Sequence, residues 1–142
     1  MNLPQEFIER MIGQLGQEEF NSFEKALALE SPVSIRVNAK KFNPLLHFEK
    51  VAWCETGYYL NQRPNFASDP LWHAGAYYVQ EASSMMLEKA FLKAKELNPE
   101  PLKILDLCAA PGGKSTHIAS LCDHKDVLVC NEVIKSRVPV LA

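Results

Sequence analysis

Residues 102–121, LKILDLCAAPGGKSTHIASL, constrain the fold of this chain more than any other stretch. An apolar run ends on Asp106, a Pro-Gly-Gly turn follows, and a helix-like pattern begins. Strand, tight glycine loop and helix in that order build the ligand crevice of an α/β sheet. Ile104, Leu105 and Leu107, with Val127, Leu128 and Val129 further on, form two near-continuous apolar runs. Such runs predict strands buried on both faces of a parallel sheet. Strands are expected at 102–107 and 127–130, a crossover helix at 115–121 and a turn at 122–126. The predicted fold class is α/β, with one βαβ unit near the C-terminus and its domain incomplete within these residues.

Two ligand classes compete for the glycine loop. Gly113-Lys114-Ser115 matches the end of a Walker A loop, but that motif needs glycine at position 108, which is Cys. The rival is an adenosyl cofactor. Asp106 ends the first strand and points to the crevice. Glu132 ends the second, about 20 residues past the glycines, where a carboxylate accepts hydrogen bonds from ribose hydroxyls. No G-x-G-x-x-G is present, so no pyrophosphate is expected. Backbone N–H groups at the helix start are suited to the carboxylate of a methionyl group. Two glycines and two acids fit S-adenosylmethionine better than NAD or ATP.

A chain of 142 residues has room for one ordinary domain or two small ones. With 47% hydrophobic and 23% charged residues it reads as globular rather than disordered. No apolar run approaches the ~20 residues of a membrane span, and the acidic N-terminus does not resemble a signal peptide. A cytoplasmic location is expected. The net charge of −2 gives no global case for nucleic acid. Arg36, Lys40 and Lys41 form a small basic cluster, read as a solvated strand end. Cys54, Cys108, Cys122 and Cys130 have no zinc-like spacing, so no metal is expected and free thiols are. Cys108 and Cys130 are expected to be buried as small hydrophobes. His47, His73, His117 and His124 read as surface or packing residues, His117 and His124 as solvated.

Helical spacing of Phe7, Ile8, Met11, Ile12 and Leu15 after Pro4 predicts a first helix, weakened by Gly13 and Gly16. A second is predicted over 17–29, stopped by Ser31-Pro32. Alternation in 33–38 predicts a half-buried strand. Residues 40–48 are ambiguous, with Asn43-Pro44 suited to start a helix. Two short strands are predicted around Gly57, an irregular linker over 61–74, an extended 77–80 and a helix over 81–94.

DLCAAPGGKS (106–115) resembles the cofactor motif of the RNA 5-methylcytosine methyltransferases of the NOL1/NOP2/Sun family. SIRVN (34–38), residues 53–60, HAGAYYVQEASSMM (73–86) and Asn131-Glu132 with Ser136-Arg137-Val138 resemble its other motifs. The resemblance runs from about residue 31 onward and is closest to bacterial members that act on 16S ribosomal RNA. It implies a Rossmann-like class I methyltransferase domain preceded by a small α+β domain. It assigns Cys108, Ala109, Ala110, Pro111, Gly112, Gly113 and Lys114 to the S-adenosylmethionine loop and Glu132 to the ribose, with Asp106 shaping the loop from below. The implied division is a 1–60 α+β RNA-binding-like domain, a 61–101 linker with lead-in helix, and a 102–142 first part of the methyltransferase domain. Pro139 departs from the family pattern; inside a helix it would cost about 3 kcal/mol unless it falls in the first turn.

The family's chemistry makes cytosine carbon 5 nucleophilic by adding a cysteine thiolate to carbon 6. Its cysteines stand in Pro-Cys and Thr-Cys contexts, and neither dipeptide occurs here. No catalytic residue is therefore expected in this chain, which is expected to be inactive alone. The reading is a fragment of a ribosomal RNA cytosine-C5 methyltransferase, with 16S ribosomal RNA or the small subunit as partner. The alternatives are a non-catalytic RNA-binding module and a P-loop-like NTPase module.

Overall fold

The structure, a computed structural model, describes residues 2–41 and 48–141. The expected helix start at Asn43-Pro44, and His47, lie outside the described residues. Contacts divide the chain into two units, Met1–Pro32 and Val33–Ala142.

The first unit is a helical hairpin of α1 (Gln5–Leu15) and α2 (Gln17–Ala28). Pro4 is the N-cap of α1, where its missing N–H is no loss. Gly16 joins the helices at φ +80, a conformation that suits glycine, and its N–H closes α1 on Ile12 O. Phe7 and Phe23 meet with ring centroids 6.4 Å apart.

The second unit holds two sheets. β1 (Val33–Val37) is the centre of an antiparallel sheet, between β2 (Gly57–Leu60) and β3 (Tyr77–Val79). Ile35 faces Tyr58 on one side and Val79 on the other. Hence the boundary expected at residue 60 is absent from the packing, because strands from both sides of it share one sheet. Only one strand forms near Gly57; residues 51–56 make turns instead. The stretch expected to be irregular contains α3 (Pro70–His73), capped by Asp69, which accepts from Leu71 N. The helix expected from Glu81 begins as a 3-10 turn, Ala82–Met86, and becomes α4 (Leu87–Leu97).

β4 (Lys103–Asp106) and β5 (Val127–Cys130) pair in parallel across α5 (Gly113–Leu121). This is the predicted βαβ unit. Asp126 ties its lower end together, accepting from Leu102 N, Asp123 N and Lys95 Nζ. The strands are not buried on both faces as expected: Leu105, Leu107, Val127 and Val129 are 53–61% exposed. The apolar pattern records what such strands are suited to pack against, and these residues do not supply that cover. After β5 comes a 3-10 turn, Lys135–Arg137, and then α6 (Val138–Leu141). Pro139 is thereby the second residue of a helix, in the first turn where it costs little.

Candidate functional site

The loop between β4 and α5 is built on its two acids. Asp106 Oδ2 accepts from Ser115 Oγ at 2.6 Å and Oδ1 from Cys108 N at 3.2 Å. The aspartate therefore braces the loop from the strand end. Ser115 is buried and gives its hydroxyl proton to Asp106. Glu132 Oε2 accepts from Ala110 N at 3.1 Å and Oε1 from Ile134 N at 2.9 Å. The Ile134 N–H is the largest cause holding Glu132 below the usual glutamate value; burial opposes it and Ala110 N and Arg137 reinforce it. Its side chain is 3% exposed. Each carboxylate oxygen has a second lone pair beyond the one used.

All the expected loop residues come together. Ala109, Ala110 and Gly112 are buried, Gly113 is half-buried, and Cys108, Pro111 and Lys114 are exposed. Cys108 and Cys130, expected to be buried, are exposed, because the strand-end faces they sit on are uncovered. The Ala110–Pro111 peptide is cis, and Gly112 has φ +102.

Every carbonyl from 109 to 113 has a protein donor. Ala109 O accepts from Gly112 N, Ala110 O from Arg137, and Pro111 O from Tyr78 OH at 3.3 Å. Gly112 O accepts from Thr116 N and Oγ1, and Gly113 O from Arg36 at 3.4 Å. The N–H groups of Gly113, Lys114 and Ser115 open α5, where helix geometry leaves them no intrahelical acceptor. Carbonyls tied back and N–H groups left over make a cradle for an anionic group, reinforced by the helix dipole. That donor set fits a carboxylate.

Beside the loop lies a buried polar network that sequence reading missed. Glu88 of α4 accepts from Glu55 N at 2.9 Å and Cys54 Sγ at 3.1 Å, and lies 2.9 Å from His117 Nε2. His117 is 0% exposed, although a solvated position was expected, because α5 turns that face onto α4. Arg36 is 5% exposed, not a solvated strand end; Nε donates to Gln80 Oε1 at 2.9 Å and NH2 to Thr116 Oγ1 at 2.7 Å. Ser34 is buried too, so β1 is covered on both faces and not half-buried. Lys40 and Lys41 are exposed as expected. One signal was available: Glu88 interrupts the apolar face that Met85 and Phe91 define at helical spacing. Nothing in the sequence paired it with a histidine 29 positions on.

Burial lowers Arg36 from its usual value, against the raising effect of Cys54, Tyr78 and Glu88. Burial, then the bond to Glu88, pushes the Cys54 thiol up. Cys54 thus stands as a thiol that donates to Glu88. Cys54, Glu88 and His117 are also close enough to ligate a metal, with donor atoms within 4.8 Å. Their 2.9 and 3.1 Å separations are hydrogen-bond distances. His117 Nδ1 is buried with no hydrogen-bond partner among the described residues. Arg36 already supplies a cation beside Glu88. In this arrangement hydrogen bonds join Glu88 to Cys54 and to His117.

Residues 3–82 match the model for the N-terminal domain of 16S rRNA methyltransferase RsmF, and residues 93–142 match that for 16S rRNA methyltransferase RsmB/F. The chain is 36% identical to ribosomal RNA small subunit methyltransferase F of Photobacterium profundum, over 98% of its own length and 32% of the relative's. It is 34% identical to the Vibrio cholerae protein of the same name, over 99% and 32%. The crystal structure of PH0851 aligns with TM-score 0.74 and 30% identity, covering 97% of this chain and 32% of that one. The chain thus spans about a third of the length of these relatives.

Proposed function

This chain belongs to the 16S rRNA methyltransferase RsmF family, and from that premise we propose that it forms the RNA-holding and cofactor-cradling part of a ribosomal RNA cytosine-C5 methyltransferase acting in the cytoplasm. The observation that carries the reading is the donor pattern of residues 109–115. Loop carbonyls are bound to protein and the helix-start N–H groups remain for a ligand anion.

When bound, S-adenosylmethionine supplies an electrophilic methyl group. The N–H groups of Gly113, Lys114 and Ser115 would hold its carboxylate. Glu132 would accept from the ribose through the lone pairs left over from Ala110 and Ile134. Asp106 fixes the start of the loop through Ser115 and Cys108. Lys114 is exposed and contributes charge rather than packing. The exposed Lys40, with Asn38 and Tyr78, lines a groove of about 520 Å³ whose wall also carries Glu55 and Glu88, and Lys40 and Tyr78 are its points of contact for RNA. No cysteine here stands in the Pro-Cys or Thr-Cys context of the family's chemistry. Methyl transfer therefore depends on residues other than these.

Calorimetric titration of the purified chain tests the reading. One equivalent of S-adenosylmethionine or its demethylated product should bind, independently of magnesium. Magnesium-dependent ATP binding with no affinity for either would overturn it in favour of the NTPase alternative. Salt-dependent RNA binding without cofactor affinity would favour the RNA-binding module.

A further inference from the structure

We propose that Arg36, from the central strand β1, is a positioning residue for the loop that cradles the cofactor. The role rests on the cofactor reading above, and its geometry stands without it.

Arg36 is buried in the three-stranded sheet, yet its guanidinium ends on the first turn of α5. Gln80 Oε1, at the end of β3, holds Nε at 2.9 Å and fixes the plane of the group. NH2 then donates to Thr116 Oγ1 at 2.7 Å and reaches Gly113 O at 3.4 Å. Thr116 Oγ1 in turn donates to Gly112 O at 2.7 Å. The hydroxyl accepts from a cation and donates to the carbonyl of the one loop residue with positive φ. A charge-assisted bond of this kind is about twice as strong as a neutral one. It runs from the sheet to the point where the loop bends into the helix.

Tyr78 of β3 makes a second tether. Its hydroxyl donates to Pro111 O, and its ring lies against Gly113, where a Cβ would meet ring carbon Cε1 at 3.2 Å. Both tethers take carbonyl oxygens and leave the N–H groups of Gly113 to Ser115 free. The sheet thereby pre-orients the donors a carboxylate would meet. Displacement of such donors by 1 Å is enough to cost a site much of its effect. Arginine suits the task because Nε and NH2 are two donors at fixed positions on one planar group, one for Gln80 and one for Thr116, whereas lysine offers one nitrogen on a flexible stem.

Amide hydrogen exchange on the intact chain without ligand tests this, alongside its melting temperature. R36K and T116V should speed exchange of the hydrogen-bonded Gly112 and Thr116 amides about tenfold, with exchange in α4 unchanged. T116S keeps the hydroxyl and should match the parent. Y78F should give a smaller rise. In the same variants S-adenosylmethionine affinity should fall on the order of tenfold for R36K and T116V and stay level for T116S. Unchanged exchange in both R36K and T116V would overturn the proposal, as would equal loosening of α4 or loss in T116S. The exchange result decides the positioning role even if the parent chain binds no cofactor, an outcome that counts against the proposed function alone.

Discussion

His117 Nε2 lies 2.9 Å from Glu88 Oε2, with the two side chains 0% and 5% exposed. This contact joins α5, which begins at the glycine loop after β4, to α4, and Cys54 and the Glu55 N–H complete the shell around the carboxylate.

Acid should destabilise the protein in two steps. Burial is the largest effect on His117 and holds it below its ordinary 6.5; the bond to Glu88 opposes this and Arg36 adds to it. Burial pushes Glu88 up, but the bonds from Glu55 N, His117 and Cys54 outweigh it and bring it below its ordinary 4.5. In both windows the unfolded chain binds more protons, so stability rises with pH. The melting temperature should be level from pH 7 to about 8, fall as pH drops below 6.5 and fall again below 4.5, where Glu132 and Asp126 titrate together with Glu88. Calorimetry across that range checks it, and H117Q should remove the first step. A parent curve that is flat from pH 7 to 5 contradicts the assignment.

Glu88→Ala should cost about 3 kcal/mol or more, because Cys54, Glu55 N and His117 would lose an acceptor in a buried site. Glu88→Gln keeps one acceptor oxygen and should cost less. Urea denaturation measures both, and equal, small losses would mean the network contributes little.

The two loop glycines should fail for different reasons. Gly112→Ala places a side chain at φ +102 with only 3.8 Å contacts around it, so its cost of about 1–2 kcal/mol is backbone strain. Gly113→Ala puts a Cβ 3.2 Å from the Tyr78 ring, a close approach that the ring must relieve by a few tenths of an ångström. Tyr78→Ala should rescue the second and not the first. Denaturation of the four variants gives the comparison.

Of the fold, the βαβ unit was legible because its signals are local. An apolar run, a glycine turn and a second run predict β4, α5 and β5 without reference to anything distant, and β5 was predicted at the residues where it forms. The loop residues 108–114 and the acid at 132 were legible for the same reason. Arg36 was not. Its basic neighbours Lys40 and Lys41 suggested solvent, while its partners Gln80 and Thr116 lie 44 and 80 positions away.

Exposure of Leu105, Leu107, Val127 and Val129 has a consequence in solution. An uncovered apolar sheet face with free strand edges favours association. The purified chain should form concentration-dependent oligomers by light scattering at micromolar levels, and V127K with V129K should reduce them. A monodisperse parent with a cooperative melt would argue that the face is protected.

The sequence by itself determined the α/β class, the glycine loop between β4 and α5 with its acids, and the helical hairpin, all set by period, glycine and capping over short spans. Only the tertiary structure decided that Arg36, Cys54, Glu88 and His117 are buried together, and that the first sheet reaches across to the loop. A polar side chain becomes a core residue when a partner arrives to satisfy it, and those partners come from distant parts of the chain.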